Sequence, residues 1–397
     1  MRRVELLVCG AGPAGHHAAR AFREADGGGD VLLATAESRR PYARPPLSKE
    51  YLRGLLPVEE LPLEAEAWYA ERGIEVALER PVRGIDPQAR VALVGGEPVG
   101  CGRCVLATGA EPARLPVPGG DDPRVLVLRE PPDSDRIAER TRGSVVVVGT
   151  GFVGCEVAAS LALRGSRVTI VGRDEVPQLD RLGRAAGERI AGWLRDAGVE
   201  TVLGHAVERI EDACAVVLDD GRRLAAEAVV VGAGVRPRTA LAAAAGLRLT
   251  RDRVPCDASL RTHADGLLAA GDVALAHNAA AGRPLAVEHW GEAERMGEVA
   301  GRVAAGRDDA WGQAPGFWST IGRRTLKHVA WGDGFDEARL VPGEGEAFAV
   351  YYGRDGVLVG VLAHERDDAY ERGRELVEGG APLSRALADD PASAAAR

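Results

Sequence analysis

Two glycine triplets are the residues of this 397-residue chain whose spacing points most directly to chemistry. Gly10, Gly12 and Gly15 follow the apolar run Val4–Cys9 as G-x-G-x-x-G, and Gly149, Gly151 and Gly154 repeat the spacing after Val145–Val148. Such a turn bends tightly at its first glycine and carries no side chain at its second, where a pyrophosphate would approach. It then opens a helix whose first N–H groups and positive dipole end suit an anion. Pro13 and Ala14 begin that helix in the first unit, and Phe152 and Val153 begin it in the second. One triplet alone leaves open whether FAD or NAD(P) is bound. Two, each after a strand and before a helix, predict two dinucleotide sites.

The residues beyond each triplet refine the expectation. Glu37 follows the strand Val31–Thr35 about 20 residues after the first turn, where an acidic side chain accepts hydrogen bonds from ribose hydroxyls. In the second unit the strand Val168–Val171 ends at Gly172-Arg173. Glycine cannot bind a ribose diol, whereas a guanidinium suits a 2′-phosphate. This favours NADPH over NADH, with Arg181 a weaker second cation; Asp174 and Glu175 keep NADH as the alternative.

The six cysteines (Cys9, Cys101, Cys104, Cys155, Cys214, Cys256) are scattered, as suits a reducing compartment. Cys101 and Cys104 form a C-x-x-C on the approach to a strand, where a separation of three points the side chains to opposite faces. No further ligands stand nearby at a zinc-site spacing, so both are expected to fill the core and no metal is expected.

These groups need elements to hold them. Val145–Val148 is the β-branched run of a central parallel strand. Val105–Ala110 and Val229–Val235 are further buried strands ending in small residues: Ala107, Thr108 and Gly109 in the first, Gly232, Ala233 and Gly234 in the second. Between the units, Pro41, Pro45 and Pro46 stiffen a segment in which Ser48 is a plausible N-cap, so that Arg44 and Lys49 project from a rigid support. From Pro315 onward short strand-like runs replace the βα pattern. The Ala/Asp/Ser-rich tail after Gly380 is expected to be loosely ordered.

The segment PYARPPLSKEYL resembles the signature of flavoprotein reductases of the ferredoxin reductase type, relatives of putidaredoxin reductase, rubredoxin reductase and the apoptosis-inducing factor. The resemblance extends over essentially the whole length. It implies an α/β fold of the glutathione-reductase-like kind, with two Rossmann-like domains and a small C-terminal α+β domain. The implied boundaries are 1–112 and 245–312 for an FAD domain, 113–244 for an NAD(P)H domain, 313–385 for the C-terminal domain and 386–397 for a flexible tail. It also implies that Arg44 and Lys49 contact FAD, with Lys49 near the reactive edge of the isoalloxazine, and that Glu156 contacts the nicotinamide carboxamide. A first-turn carboxylate favoured by the helix dipole is the alternative for Glu156. Val82 and the Ala107–Gly109 strand end belong to the implied FAD site. Gly271-Asp272 resembles the return motif in which the aspartate binds a ribityl hydroxyl. Glu288, His289 and Trp290 precede a helix start that faces the flavin in relatives, and Trp318 is the aromatic residue that shields it. No catalytic role falls to His289, because no redox cysteine pair accompanies it. Disulfide reductases of this superfold carry a C-x-x-x-x-C pair near this segment, and this chain has no cysteine between Cys9 and Cys101.

A net charge of −9, with 46% hydrophobic and 27% charged residues, argues against non-specific nucleic-acid binding. No run reaches the length of a membrane span, and a cytoplasmic monomer or homodimer is expected. The implied function is electron transfer from NAD(P)H through FAD to a ferredoxin-like iron–sulfur protein serving an oxygenase such as a cytochrome P450. Docking of such an acidic partner would use Arg39, Arg40, Arg323, Arg324 or Lys327. The alternatives are a reductase of a small molecule, quinone or oxygen, and a redox-responsive interaction protein resembling the apoptosis-inducing factor.

Overall fold

Four consecutive valines cannot satisfy a helix's rotamer limits and an amphipathic surface at once, but they suit a strand covered on both faces. In a computed structural model, which describes residues 1–392, Ser144–Val148 is an inner strand of a four-stranded parallel sheet. The order is Val199–Leu203, Arg167–Gly172, Ser144–Val148, Ala228–Val231. Helices Phe152–Leu163 and Leu179–Asp196 accompany it. The second of these is a helix the sequence reading leaves unassigned, because Gly183, Gly187 and Gly192 interrupt its pattern; Gly183 is itself non-helical, and the helix kinks there.

The chain divides into two compact units. The first comprises Met1–Ala43, Pro62–Glu111 and Pro237–Phe317; the second comprises Arg44–Leu61, Pro112–Arg236 and the chain from Trp318 onward. In the first, parallel strands Ile74–Ala77, Val31–Ala34, Arg2–Cys9 and Glu97–Leu106 lie side by side, continued antiparallel by Val91–Val94 and Val82–Asp86. Leu267–Ala269 pairs parallel with Glu97–Leu106. The second unit adds a five-stranded sheet ordered Gly316–Ile321, Arg324–Ala330, Val357–His364, Phe348–Arg354, Glu337–Pro342. The strand expected over Val105–Ala110 is instead the end of Glu97–Leu106, that expected over Val229–Val235 stops at Val231, and the helices after the two glycine turns begin at Pro13 and Phe152.

Two helices of the first unit set its geometry. Pro13–Glu24 and Trp290–Ala304 pack against each other through Gly297 and Gly301, one turn apart. A Cβ on Gly297 would overlap the Ala14 carbonyl oxygen, and one on Gly301 the Ala18 carbonyl oxygen. Ion pairs reinforce the contact: Arg20 Nη2 lies 2.6 Å from Glu298 Oε1, and His17 bridges Glu294 and Glu298. His16 turns inward and is 2% exposed, with Nδ1 3.0 Å from the Tyr69 hydroxyl. Burial, together with the neighbouring His17 and Arg20 charges, pushes its pKa down to about 3.

Two expectations are corrected here. Ser48 does not cap a helix N-terminus; it ends the short 3-10 helix Pro45–Ser48, and its hydroxyl reaches Glu156 instead. The tail is not loose from Gly380. Leu383–Asp389 is helical, and Asp390 is buried, accepting hydrogen bonds from Tyr351 Oη at 2.6 Å and Arg366 Nη2 at 2.8 Å. A buried carboxylate with a charged and a phenolic donor holds the segment, which composition alone does not reveal. Residues 393–397 of the expected tail lie outside the described residues.

Gly297→Ala is expected to lower stability by about 1–3 kcal/mol by forcing the two helices apart. Gly192→Ala, where no atom stands within 4 Å of the added Cβ, serves as the control. Equal denaturation midpoints for the two variants would refute the close-approach argument. His16 carries a pH signature. Its folded pKa of about 3 lies below its ordinary 6.5, so the unfolded chain takes up the proton first as pH falls. Its contribution to stability is full above pH 6.5 and is lost progressively toward pH 3, on the order of 3–5 kcal/mol in all. In His16→Asn, which keeps an acceptor for Tyr69, the fall in stability between pH 6.5 and 4 should be shallower; an unchanged slope would exclude His16 as its source.

Candidate functional site

The first glycine turn sits at the carboxyl end of Arg2–Cys9. Gly10 has φ +113°, a conformation that L side chains rarely adopt, and a Cβ on Gly15 would overlap the Gly10 carbonyl oxygen. Gly12 differs: a Cβ there meets no protein atom within 4 Å. Protein packing does not require that glycine, so the open space fits a diphosphate at the N-terminus of Pro13–Glu24, a helix with no acidic residue in its first turn. Ala14 stands 3.1 Å from a Cβ added at Gly271, which brings the Gly271-Asp272 turn to the same helix start. The Asp272 carbonyl accepts from Arg253 Nη1 at 3.0 Å, and Arg253 also pairs with Glu288. Glu37 accepts from the Tyr42 hydroxyl at 2.7 Å. Ala107 N donates to Cys9 O at 2.9 Å, holding the Ala107–Gly109 strand end beside the turn, and Thr108 Oγ1 donates to Arg238 O at 2.7 Å. His289 packs against Phe317, with ring centroids 4.6 Å apart, and Trp290 Nε1 donates to Glu294 at 2.7 Å. Val82 lies on the edge strand, half-buried.

The second turn repeats the geometry. Gly149 has φ +109°, and a Cβ on Gly154 would overlap the Gly149 carbonyl oxygen. The Gly232–Gly234 segment supports it from the end of the neighbouring strand, with Gly232 N donating to Val148 O at 2.8 Å. Val153 is 45% exposed at the helix start, and Arg181 lies over the Phe152 ring at 5.6 Å. Arg173 is exposed, and no ion-pair partner stands beside it among the described residues.

The most elaborate polar cluster was legible only in part. Lys49 and Glu156, singled out separately from the sequence, form a buried ion pair with Lys49 Nζ 2.9 Å from Glu156 Oε2. Ser48 Oγ donates to the same oxygen at 2.5 Å. Glu156 Oε1 accepts from Ser319 Oγ at 2.7 Å and from Thr320 N at 3.3 Å. Four donors therefore meet one carboxylate, the number of lone-pair sites it offers. Ser160 Oγ donates to Ser48 O at 2.7 Å, and Ser134 Oγ to Leu47 O at 2.9 Å. These bonds tie Arg44–Leu61 into the second unit rather than to the strands that precede it in sequence. Arg44 Nη1 donates to Arg129 O at 2.8 Å. Ser319 belongs to the run Phe317-Trp318-Ser319, which resembles the entrance to the family's C-terminal domain, but nothing in that run marks it as a partner of Glu156, and Thr320 carries no motif. Trp318 itself is 48% exposed.

The basic docking candidates are largely neutralised. Arg40 pairs with Glu66, Arg324 with Glu346 and Asp196, and Lys327 with Asp367. Arg39 and Arg323 are exposed and have no ion-pair partner among the described residues. All six cysteines are free. Cys104 Sγ lies 3.6 Å from Cys9 Sγ on the adjacent strand and Cys101 Sγ donates to Arg90 O, but the two C-x-x-C thiols also interact with each other, so they are not separated onto opposite faces as their spacing suggests. No helix among the described residues is long and apolar enough to cross a membrane.

Two turns of the same construction, each leading from a parallel strand into a helix, mark two dinucleotide-binding units. Residues 4–297 match the family model described as pyridine nucleotide-disulphide oxidoreductase, and the chain belongs to that family, whose members depend on FAD and use NAD(P)H. The ferredoxin–NAD(P)(+) reductase of a Sphingomonas species is 31% identical to it over 97% of this chain and 95% of its own. A ferredoxin reductase structure from Rhodopseudomonas palustris superposes with a TM-score of 0.91 at 30% identity, covering 99% of this chain and 100% of that one. The covalent putidaredoxin reductase–putidaredoxin complex gives 0.88 at 26% identity, covering 98% and 99%. By class the chain is an oxidoreductase of the ferredoxin reductase type.

Removing one partner of the Lys49–Glu156 pair leaves a buried charge uncompensated. Glu156→Leu is expected to cost about 3–5 kcal/mol, and adding Lys49→Met should return most of it. Additive losses in urea denaturation would mean that the two groups do not act as a pair.

Proposed function

We propose that the chain passes electrons from NAD(P)H, with NADPH preferred, through FAD to a ferredoxin-like iron–sulfur protein that serves an oxygenase such as a cytochrome P450. The observation that carries this reading is the pairing of two nucleotide turns with a sequence that has no cysteine between Cys9 and Cys101, and so none within the Pro41–Leu52 segment. With no thiol pair there to take electrons onward, they leave to an external acceptor. Full-length likeness to proteins named as ferredoxin reductases supports the choice of acceptor. Bound FAD supplies the chemistry, taking a hydride and giving up its two electrons one at a time.

The chain's own groups then have definite tasks. The open space at Gly12 and the start of Pro13–Glu24 receive the FAD diphosphate, Glu37 its ribose and Asp272 its ribityl chain. Arg44 and Lys49 serve the flavin, and Trp290 and Trp318 exclude water from it. The Gly149–Gly154 turn receives the nicotinamide nucleotide, with Arg173 meeting a 2′-phosphate and Gly232–Gly234 lying beside the nicotinamide. Glu156 holds Lys49 in place. Because its carboxylate already accepts four donors, a contact with the nicotinamide carboxamide requires that one of them be released. Docking of an acidic ferredoxin falls to Arg39 and Arg323, which have no ion-pair partner among the described residues.

The test is steady-state turnover of the holoenzyme with NADPH and NADH against a panel of ferredoxins, ferricyanide and oxygen. NADPH should give the higher kcat/KM, and a ferredoxin should be reduced faster than oxygen. Arg323→Glu should slow ferredoxin reduction about tenfold and leave ferricyanide reduction unchanged; equal loss in both assays would remove docking as the explanation. Faster reduction of a quinone or oxygen than of every ferredoxin would overturn the choice of acceptor.

A further inference from the structure

The second nucleotide turn contains a pair of residues that the fingerprint does not include. Arg167–Gly172 ends at Gly172, in the place where an acid would face an adenosine ribose. Gly172 is buried and its φ is ordinary, so backbone conformation does not demand glycine there. Its surroundings do. A Cβ on Gly172 would lie 2.5 Å from Thr150 Cγ2, 2.7 Å from Thr150 Oγ1 and 3.2 Å from Thr150 Cβ. Thr150 is the middle residue of Gly149-Thr150-Gly151 and is 8% exposed. Its branched side chain is held at the turn, and no long flexible end can swing away. A side chain at position 172 and the one at position 150 compete for a single space, and Thr150 fills it.

The first unit offers an internal comparison. In both units the first glycine donates its N–H to the carbonyl of the neighbouring strand at 2.8 Å, Gly10 to Ala34 and Gly149 to Val171. By this register Gly172 corresponds to Thr35, and Thr150 to Ala11. The first unit has a small residue in the turn and threonine at the strand end; the second has threonine in the turn and glycine at the strand end.

We propose that Thr150 is a specificity-determining residue: by occupying this space it keeps the strand end at glycine, bars a carboxylate from the adenosine-ribose position and presents a neutral hydroxyl there instead. Without a carboxylate at position 172 there is one fewer charge to repel a 2′-phosphate; Asp174, which this register aligns with Glu37, remains, and Arg173 between the two is exposed and without an ion-pair partner among the described residues. The proposal rests on the reading that this turn receives NAD(P)H.

It follows that an acid cannot be installed at position 172 alone. The test compares the holoenzyme with Thr150→Ala, Gly172→Asp and the double variant, measuring NADP⁺ and NAD⁺ dissociation constants calorimetrically and thermal midpoints of each protein. Gly172→Asp alone should weaken both nucleotides about tenfold or more and lower the midpoint. Adding Thr150→Ala should restore the midpoint and return NAD⁺ binding to within about threefold of the parent, while NADP⁺ stays about 100-fold weaker. The thermal cycle reads the competition even if a single variant binds nothing. Additive effects, or a clean switch to NAD⁺ in Gly172→Asp alone, would overturn the proposal. A parent that binds NAD⁺ more tightly than NADP⁺ would instead overturn the NADPH preference, leaving the competition to be judged by the cycle. A parent that binds neither would end both.

Discussion

The buried carboxylate of Glu156 is the interaction on which the second unit's polar architecture depends. Burying a charged pair costs more in desolvation than the attraction returns unless further hydrogen bonds complete it. Here two hydroxyls and one backbone N–H complete it, and they come from segments far apart in sequence. The proline-stiffened stretch supplies Ser48 and Lys49, the fingerprint helix supplies Glu156, and the last long segment supplies Ser319 and Thr320. Because the ammonium has one counterion and the counterion has no vacant acceptor site, the geometry of each segment is fixed by the others. Such a cluster contributes little net stability, but it leaves few alternative arrangements of the chain.

The elements that hold the nucleotide turns were readable because their signals are local. Val145–Val148 announces a buried strand, the glycine spacing announces the turn, and Ala107–Gly109 and Gly232–Gly234 announce strand ends packed close to something. Relations between distant residues were not readable. Nothing within a short window says that Ser319 should meet Glu156, that Gly297 and Gly301 exist to admit a helix, or that Gly172 is glycine because of Thr150. Each needs the tertiary partner to acquire meaning. The pairing of three of the five basic candidates is another such relation. Arg324 and Lys327 read as free cations in one dimension and are paired in three.

The two turns also show how one motif separates packing from ligand recognition. Its first and third glycines are explained by the protein itself, one through backbone conformation and the other through a carbonyl oxygen one turn away. The second is explained only by what binds. Gly12 is thus a position that packing leaves free, and its place at the start of Pro13–Glu24 is what directs that space to an anion.

The path of the chain bears on how it can be made. The first unit is assembled from three stretches and lacks Leu267–Ala269 and the helix Trp290–Ala304 until the chain has been extended past residue 300. The second begins at Arg44 yet awaits Asp390, whose carboxylate neutralises the guanidinium of Arg366. Neither can close on the ribosome in the sequential, domain-by-domain manner common to multidomain proteins. The sheet around Val145–Val148 draws on one stretch that ends at Val231, whereas the strands Arg2–Cys9 and Glu97–Leu106 wait for Leu267–Ala269 and for Trp290–Ala304, and that interval leaves their apolar side chains open to aggregation and to chaperones.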